Sequence, residues 1–364
     1  MKRSLLAIAI AIAIGFGSMG QASADDNNAT QVQIGNQNEA TISQSGGSGN
    51  QASQSQVGSA NFVSSTQSGT NFQLTSTQDG NNNLKTYQYG VDSQAKVNQE
   101  GTSNIAEVYQ QSDEFQHVAM LDQQGFANSA YLTQRDGSWN YIDLQQNGVG
   151  NYTNVTQVWN TSSYSGSQEG NGNWATIEQS GASADVDQIG QDNKVWLNQD
   201  GYGFGAHTTI AQNGNANSAD VDQFGSRYSA GTVTLTQTGD DNRANVLETS
   251  GMGSFTFSQT GNGNELDADH GGRGGSVIGT QTGDLNVVRL VQEFDGNSIN
   301  IDQAGTSNEI DIDQQAYYSS ADVTQIGIDN HATVIQSDTA SGIGGDSATI
   351  MQSGNANIAT VTQH

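Results

Sequence analysis

The sequence predicts an all-β protein, a flat two-sided parallel β-solenoid, and three observations carry that prediction. The pattern Gln-x-Gly-x-x-Asn recurs fifteen times along the 364 residues, first at Gln33 and last at Gln352, at spacings of 20 to 27 residues. Between recurrences run short segments in which polar and apolar residues alternate, the period of a strand with one buried face. Proline is absent, which suits a chain engaged in β ladders over most of its length, because proline has no N–H to give to a ladder.

The first 24 residues read apart from the rest. Lys2 and Arg3 form a basic start, Leu5 to Ile14 an apolar run, and Gln21-Ala22-Ser23-Ala24 an Ala-x-Ala cleavage site before Asp25. The expected division is a signal peptide over 1–24, a short segment over 25–32 and a repeat solenoid over 33–364. The apolar run is too short to span a bilayer, and no later stretch approaches the roughly 20 apolar residues that a spanning helix needs. Export without membrane insertion is therefore expected.

Each repeat divides into two halves, and each half holds one strand. One unit starts at Gln303-Ala-Gly-Thr-Ser-Asn308, continues through Glu-Ile-Asp-Ile-Asp to Gln314, and closes after Ala321 and Val323 at Gln325. Side chains alternate across a strand, so Asn308, Ile310, Ile312 and Gln314 share the interior face while Glu309, Asp311 and Asp313 share the outer one. The third motif position is glycine (Gly35, Gly58, Gly305, Gly327, Gly354), where the chain reverses tightly and a positive φ is cheapest for Gly. Two strands and two turns in about 22 residues make one rung, a period that identifies a stacked repeat before any local propensity is weighed.

The interior of such a rung is thin: Ala, Val, Ile and Leu flanked by Asn and Gln. A Gln buried alone costs a few kcal/mol, on the order of 2–7. Identical Gln side chains stacked at strand spacing can instead donate and accept along the stack. The residues expected to form these ladders, and to carry self-assembly where a ladder ends, are Gln33, Asn38 and Gln44; Gln212, Asn217 and Gln223; Gln303, Asn308 and Gln314; Gln325, Asn330 and Gln336; and Gln352, Asn357 and Gln363. Irregularities are few. Insertions at 202–207, 227–231 and 339–346 read as loops bulging from turns. At Glu248 and His270 the expected Gln is missing, and the nearby turn Gly271-Gly-Arg-Gly-Gly275 is loose, so this is the expected weak point. Trp139, Trp159, Trp174 and Trp196 fall at turns or on the outer face and read as rim packing.

Composition excludes several functions. Hydrophobic residues make up 33% of the chain, below the usual 45–50% or so of globular domains. Cysteine is absent, so disulfides, thiolate metal sites and Cys nucleophiles are ruled out. Net charge is −27, and loss of Lys2 and Arg3 with residues 1–24 would take it to about −29, which repels nucleic acid and anionic lipid. The five histidines (His117, His207, His270, His331, His364) are scattered, with no triad or ligand spacing. The Gly-rich turns lack the Lys and strand-to-helix context of a phosphate loop. Acidic pairs such as Asp185/Asp187, Asp220/Asp222 and Asp311/Asp313 lie on one strand face and read as a solvated outer surface that keeps the chain soluble; they lack the calcium-loop pattern. No catalytic, cofactor or metal residue is expected, and the chain does not read as an enzyme.

The segment Gln33-IGNQNEATIS-Gln44 and its counterparts Gln212–Gln223, Gln325–Gln336 and Gln352–Gln363 all follow Gln-x-Gly-x-x-Asn-x-Ala-x-x-x-Gln. Together with the leader and the lack of cysteine they resemble the curlin repeats of curli subunits, the secreted functional amyloids of Gram-negative biofilms, over residues 33–364. The resemblance implies amyloid-like cross-β rungs and a homopolymer that grows end to end into extracellular, cell-surface fibres for adhesion and biofilm matrix. It also implies export through a curli-type outer-membrane pore and a nucleator subunit as partner. By motif match the seeding residues of the family would be Gln33, Asn38 and Gln44 at one end and Gln352, Asn357 and Gln363 at the other. This chain departs by having many more repeats and only Asp25–Val32 before the first. The competing expectation is a monomeric surface-binding solenoid, ice-binding or adhesin-like; Thr232, Thr234 and Thr236 offer one strand of the flat Thr array this needs.

Overall fold

A computed structural model describes residues 26–112, 114–159, 161–201, 205–225, 231–249, 251–337 and 345–364. The leader expected over 1–24, and most of the insertions near 202, 227 and 339, lie outside the described residues. The chain forms two compact units, Met1–Gly172 and Asn173–His364, and both are parallel β-solenoids. The described residues hold 28 strands, and none of their helices is long and apolar enough to cross a membrane.

In the first unit a rung consists of a first arm, a tight arc and a second arm. Asn28–Asn36 and Glu39–Ser45 make the first rung, Gln51–Ser59 and Phe62–Thr70 the next. Gln73–Val91 and Gln94–Ser112 each run unbroken through the arc and supply both arms. Val118–Phe126 with Ser129–Arg135, Tyr141–Val149 with Tyr152–Val158, and finally Ser163–Asn171 complete the unit. First arms pair with first arms and second with second, always parallel, so Gln33 lies beside Gln56, Gly35 beside Gly58 and Gln44 beside Gln67. The first arm opens at Asn28, and residues 28–32 pair with 51–55, so most of the segment read as preceding the solenoid is its first strand.

The second unit repeats the plan. It opens with Trp174–Ser180 and then alternates first arms, such as Ser298–Thr306 and Ser320–Ile328, with second arms, such as Glu309–Gln315 and His331–Ser337. It closes with Ser347–Asn355 and Ile358–Gln363. Gln303 lies beside Gln325 and Gln325 beside Gln352. Within each arm burial alternates residue by residue. In Glu309–Gln315, Ile310, Ile312 and Gln314 are buried while Asp311 and Asp313 point outward. Ile299 and Ile301 of the first arm are buried with them. Period-two patterning has become two apolar rows per rung, which is why 33% hydrophobic content suffices.

The arc itself differs from the expectation that glycine alone makes the reversal. Gly305 (φ 122°) is the last residue but one of the first arm, and the left-handed position falls two residues later on Ser307 (φ 55°). Gln37, Asp329 and Ala356 occupy the same position with φ of 58°, 55° and 53°. Non-glycine residues pay about 1–2 kcal/mol there, and the arc holds them because Asn308 Nδ2 donates to Ala304 O at 3.2 Å across it. The third repeat shows what happens when a residue is missing. Its register shifts between Asn81 and Asn83, and Asn82, not the motif's Asn83, enters the interior.

Candidate self-assembly interface

Gln side chains form two columns along each unit, one per arm, interrupted only where the second arms of the second unit carry Glu248 and His270. Gln33 Nε2 donates to Gln56 Oε1 at 2.8 Å and Gln56 to Gln78 at 3.0 Å. On the other arm Gln44 donates to Gln67 and Gln67 to Gln88, both at 2.8 Å. In the second unit Gln212 donates to Gln237 at 2.8 Å, Gln303 to Gln325 at 3.0 Å and Gln325 to Gln352 at 2.7 Å. Gln314 donates to Gln336 at 2.9 Å and Gln336 to Gln363 at 2.8 Å. Every one of these bonds points the same way, from the earlier rung to the later. The second amide proton is spent across the interior: Gln325 Nε2 also donates to Glu309 O at 3.0 Å, and Gln336 Nε2 to Ser320 O at 3.0 Å. A buried primary amide has two donors and an acceptor to satisfy, and this arrangement satisfies all three.

The Asn column runs with the opposite sense. Asn61 Nδ2 donates back to Asn38 Oδ1 at 3.1 Å, Asn217 to Asn193 at 3.1 Å, Asn330 to Asn308 at 2.9 Å and Asn357 to Asn330 at 2.8 Å. The backbone N–H of each of these residues donates to the same oxygen. Its amide also reaches forward to the glycine of the next arc, as Asn308 does to Gly327 O at 3.0 Å. These glycines are stacked too closely for any side chain. A Cβ on Gly35 would lie 1.8 Å from Gly58 O, and one on Gly305 would lie 1.9 Å from Gly327 O. Close approach, as much as positive φ, fixes glycine at this position.

These columns leave unequal ends. In the first rung Gln44 Oε1 is buried and has no partner. In the last, Gln352 Nε2 donates only to His331 O at 2.9 Å and Gln363 Nε2 only to Ser347 O at 3.1 Å, so each keeps an unused N–H. Gly354 is likewise open: the nearest atom to a Cβ there is Asn357 Nδ2 at 3.5 Å. Among the described residues, the Gln columns thus offer amide oxygens at the first rung and amide protons at the last, while the Asn column runs the other way. The two ends are complementary.

Of the residues singled out for these columns, Gln223 departs from the pattern. It accepts from Gln199 at 2.8 Å, but the next rung carries Glu248 in its place, and its own amide turns to Gly231 O at 2.7 Å. The outer face carries charge in several patterns. Asp187 and Asp220 have their carboxyls pushed above the usual carboxylate range, first by burial and then by Asp185 and Asp222 respectively, with Arg243 pulling Asp220 back. Around Arg289 the effect reverses: its guanidinium contacts Glu309 and lies 3.3 Å from Asp311, and it holds Glu309 below that range. His331, one rung on, lies 3.2 Å from Glu309. Register thus gathers a carboxylate–imidazole cluster, Glu309, Asp311 and His331, from residues that look scattered in sequence, with Arg289 already bridging its two carboxylates. Trp139 and Trp159 are exposed at arcs and Trp174 and Trp196 on the outer face, Trp139 stacking on Phe115 with ring centroids 5.6 Å apart. Thr234 has Thr209 and Thr256 beside it, whereas Thr232 has His207 and Ser254, so no regular two-column Thr surface forms.

A solenoid whose rungs are joined by interior amide ladders and glycine columns is a structural repeat module. Residues 119–148 and 305–337 match the family model of the curlin associated repeat, and these two matches support a curlin-repeat protein. No curated protein matches it.

Proposed function

We propose that this chain is a secreted structural subunit that adds end to end into extracellular curli-like amyloid fibres serving adhesion and biofilm matrix. The observation that carries the reading is the complementarity of the terminal rungs. Gln44 Oε1 lacks a donor, while Gln352 and Gln363 each keep an N–H. A last rung docked on the first rung of a second copy continues both Gln columns, the Asn column and the glycine stack in their existing directions. Docking like ends together sets acceptors against acceptors. Growth is therefore head to tail. Unpaired strand edges supply backbone partners at the same time. The curlin-repeat family is one of structural fibre subunits, which supports the reading, as does the leader-like sequence at 1–24. Export through a curli-type pore and initiation by a nucleator subunit belong to the same proposal.

The test is a time course of the chain from residue 25 onward at micromolar concentration, followed by electron microscopy and fibre diffraction, alone and seeded. Fibres with reflections near 4.7 and 10 Å are expected, with seeds removing the lag. A chain that stays monomeric with or without seeds overturns the proposal.

A further inference from the structure

The Gln column of the second arms is broken at two consecutive rungs. Register sets Glu248 beside Gln223, His270 beside Glu248, and Gln292 beside His270. Both replacements are fully buried, and Glu248 is the one fully buried carboxylate among the described residues. His270 Nδ1 contacts Glu248 Oε2, both side chains being fully buried. Two atoms are left without partners, His270 Nε2 and Gln292 Oε1. They face a common point, since a Cβ on Gly275 would lie 2.7 Å from the first and 2.8 Å from the second. Gln292 already uses its amide to donate to Gln314 at 2.8 Å, so its oxygen is what it shows to His270.

Hydrogen-bond inventory then fixes the proton count. An ionised carboxylate only accepts, and a neutral imidazole donates through one nitrogen. With Nδ1–H given to Glu248, a neutral His270 turns a lone pair toward the lone pairs of Gln292 Oε1. One added proton removes the conflict. It can sit as imidazolium beside carboxylate, or as carboxylic acid beside a neutral imidazole protonated on Nε2. Either way Nε2–H donates to Gln292 and the column is continuous again. Among the described residues no other titratable group shares this interior. The strands bearing the column point Asp220, Asp222, Arg243, Glu265, Asp267, Asp269 and Arg289 outward. The facing arms present Phe255, its ring 6.2 Å from the imidazole, and have no titratable residue except Asp284 at an outward-facing end. Arg273 and Glu293 in the adjoining turns are exposed.

We propose that Glu248 and His270 form a proton-dependent joint in the stack: the pair holds one shared proton, and losing it opens the solenoid between the arms Arg243–Glu248 and Val287–Gln292. The Gly271–Gly275 turn beside it is bonded to the rungs on either side, Gly274 N–H to Gly251 O at 2.9 Å and Gly271 N–H to Gln292 O at 2.7 Å, so opening the joint releases these bonds as well.

Hydrogen exchange with mass spectrometry on the full chain, corrected for intrinsic rates, tests this. Between about pH 6 and about pH 9, protection of 243–248, 265–270 and 287–292 is expected to fall about tenfold relative to 309–315, the cost of orphaned buried polar atoms. Glu248→Gln removes the response, because the new amide donates to Nδ1 of a neutral imidazole whose Nε2–H serves Gln292. His270→Gln does not. Either amide orientation sets an oxygen against Glu248 or Gln292 unless Glu248 is protonated, so protection is already low at about pH 6 and returns on acidification. Ring ¹⁵N shifts of His270 in the unmutated chain give a readout independent of variant folding, with Nε2 protonated while the arms are protected. The proposal is overturned if the three arms track 309–315 across the range, if Glu248→Gln responds as the parent does, if His270→Gln is as protected as Glu248→Gln, or if Nε2 is unprotonated in the closed joint.

Discussion

Alanine at two glycines of the same column separates what holds a rung within the chain from what would let the next chain add. At Gly305 an alanine keeps φ near 122° and puts its Cβ 1.9 Å from Gly327 O. At Gly354 φ is 111°, but the nearest atom is Asn357 Nδ2 at 3.5 Å, an ordinary contact. Both substitutions carry backbone strain of roughly 1–3 kcal/mol. Only Gly305→Ala must also move a carbonyl that is pinned, since Gly327 O accepts from Asn308 Nδ2 at 3.0 Å. Relieving that overlap releases this bond and a neighbouring ladder bond, at about 1 kcal/mol each. Gly305→Ala should thus destabilise its rungs by roughly 3–5 kcal/mol, and Gly354→Ala by roughly 1–3. Denaturant unfolding of freshly desalted monomer, with exchange protection of 298–328 as the local probe, measures the difference. Growth should show the reverse order of severity. A Cβ at Gly354 projects to where the arc carbonyl of an incoming copy would sit, so Gly354→Ala monomer folds but its growing end cannot be extended, and substoichiometric amounts cap wild-type fibres. Equal destabilisation by the two substitutions would refute the stacking argument, and elongation of Gly354→Ala at the wild-type rate would refute the proposed mode of addition.

Gln325→Leu keeps the volume but strands Gln303 Nε2, Gln352 Oε1 and Glu309 O; a loss of about 3 kcal/mol or more is expected in denaturant unfolding. The raised carboxyl of Asp187 means that the folded state binds its proton more tightly than the unfolded state does. Its contribution to stability is therefore present in acid and lost as pH rises through that raised value. Asp187→Asn should accordingly raise the thermal midpoint at neutral pH and flatten its dependence through the carboxylate range. Glu309 is shifted the other way by Arg289, so its contribution is present above the ordinary carboxylate range and fades as pH falls through the lowered value. Both partners are well exposed, which limits the effect of Arg289→Gln to under about 1 kcal/mol, and an NMR titration of Glu309 should show its carboxyl moving back up. Gly279→Val puts branched atoms where Phe257 Cε2 would lie 2.1 Å from a Cβ, and exchange protection of 254–260 and 276–284 should fall together.

The fold was legible because each rung has to satisfy its neighbours with the same few residue types. A Gln that must accept from one rung and donate to the next is best replaced by another Gln, with Glu248 and His270 the departures in the second unit, so the requirement surfaces in the sequence as a period. Alternation gave the inward face for the same reason: Ile310 and Ile312 can only be interior if Glu309 and Asp311 are not. Contacts made by register were not legible. His331 meets Glu309, and Glu248 meets His270, across 22 residues, and only the stack brings them together. The missing Gln at 248 and 270 marked the place but not the contact. In the third repeat, a run of three Asn residues at 81–83 concealed a one-residue shift of the arc.

Interior residues vary where the columns do not, and the variation is matched between rungs. Within one arm Tyr164 is accommodated by Gly166, where a Cβ would lie 2.2 Å from its hydroxyl; between rungs Phe257 is accommodated by Gly279. Such pairs fit one neighbour and not another, so each rung is specified against slipping past its own partners, which alternating Ala and Val alone would permit. The terminal rungs carry no such pair of large and small residues, although Gln31 of the first rung is matched to its own neighbour, donating to Gln54 Oε1 at 3.3 Å. Ala29 with Val361 and Ala359 are small and aliphatic, and Gln33, Asn38, Gln352, Asn357 and Gln363 repeat the motif without variation. Distinct pairs inside and generic amides at the ends amount to two instructions in one sequence, the first fixing the order of rungs within a chain and the second leaving any copy of that chain acceptable as the next. If this division is correct, exchanging Phe257 and Gly279 between their two rungs perturbs monomer folding but leaves seeded growth of the folded fraction intact, whereas Gln352→Leu with Gln363→Leu does the opposite.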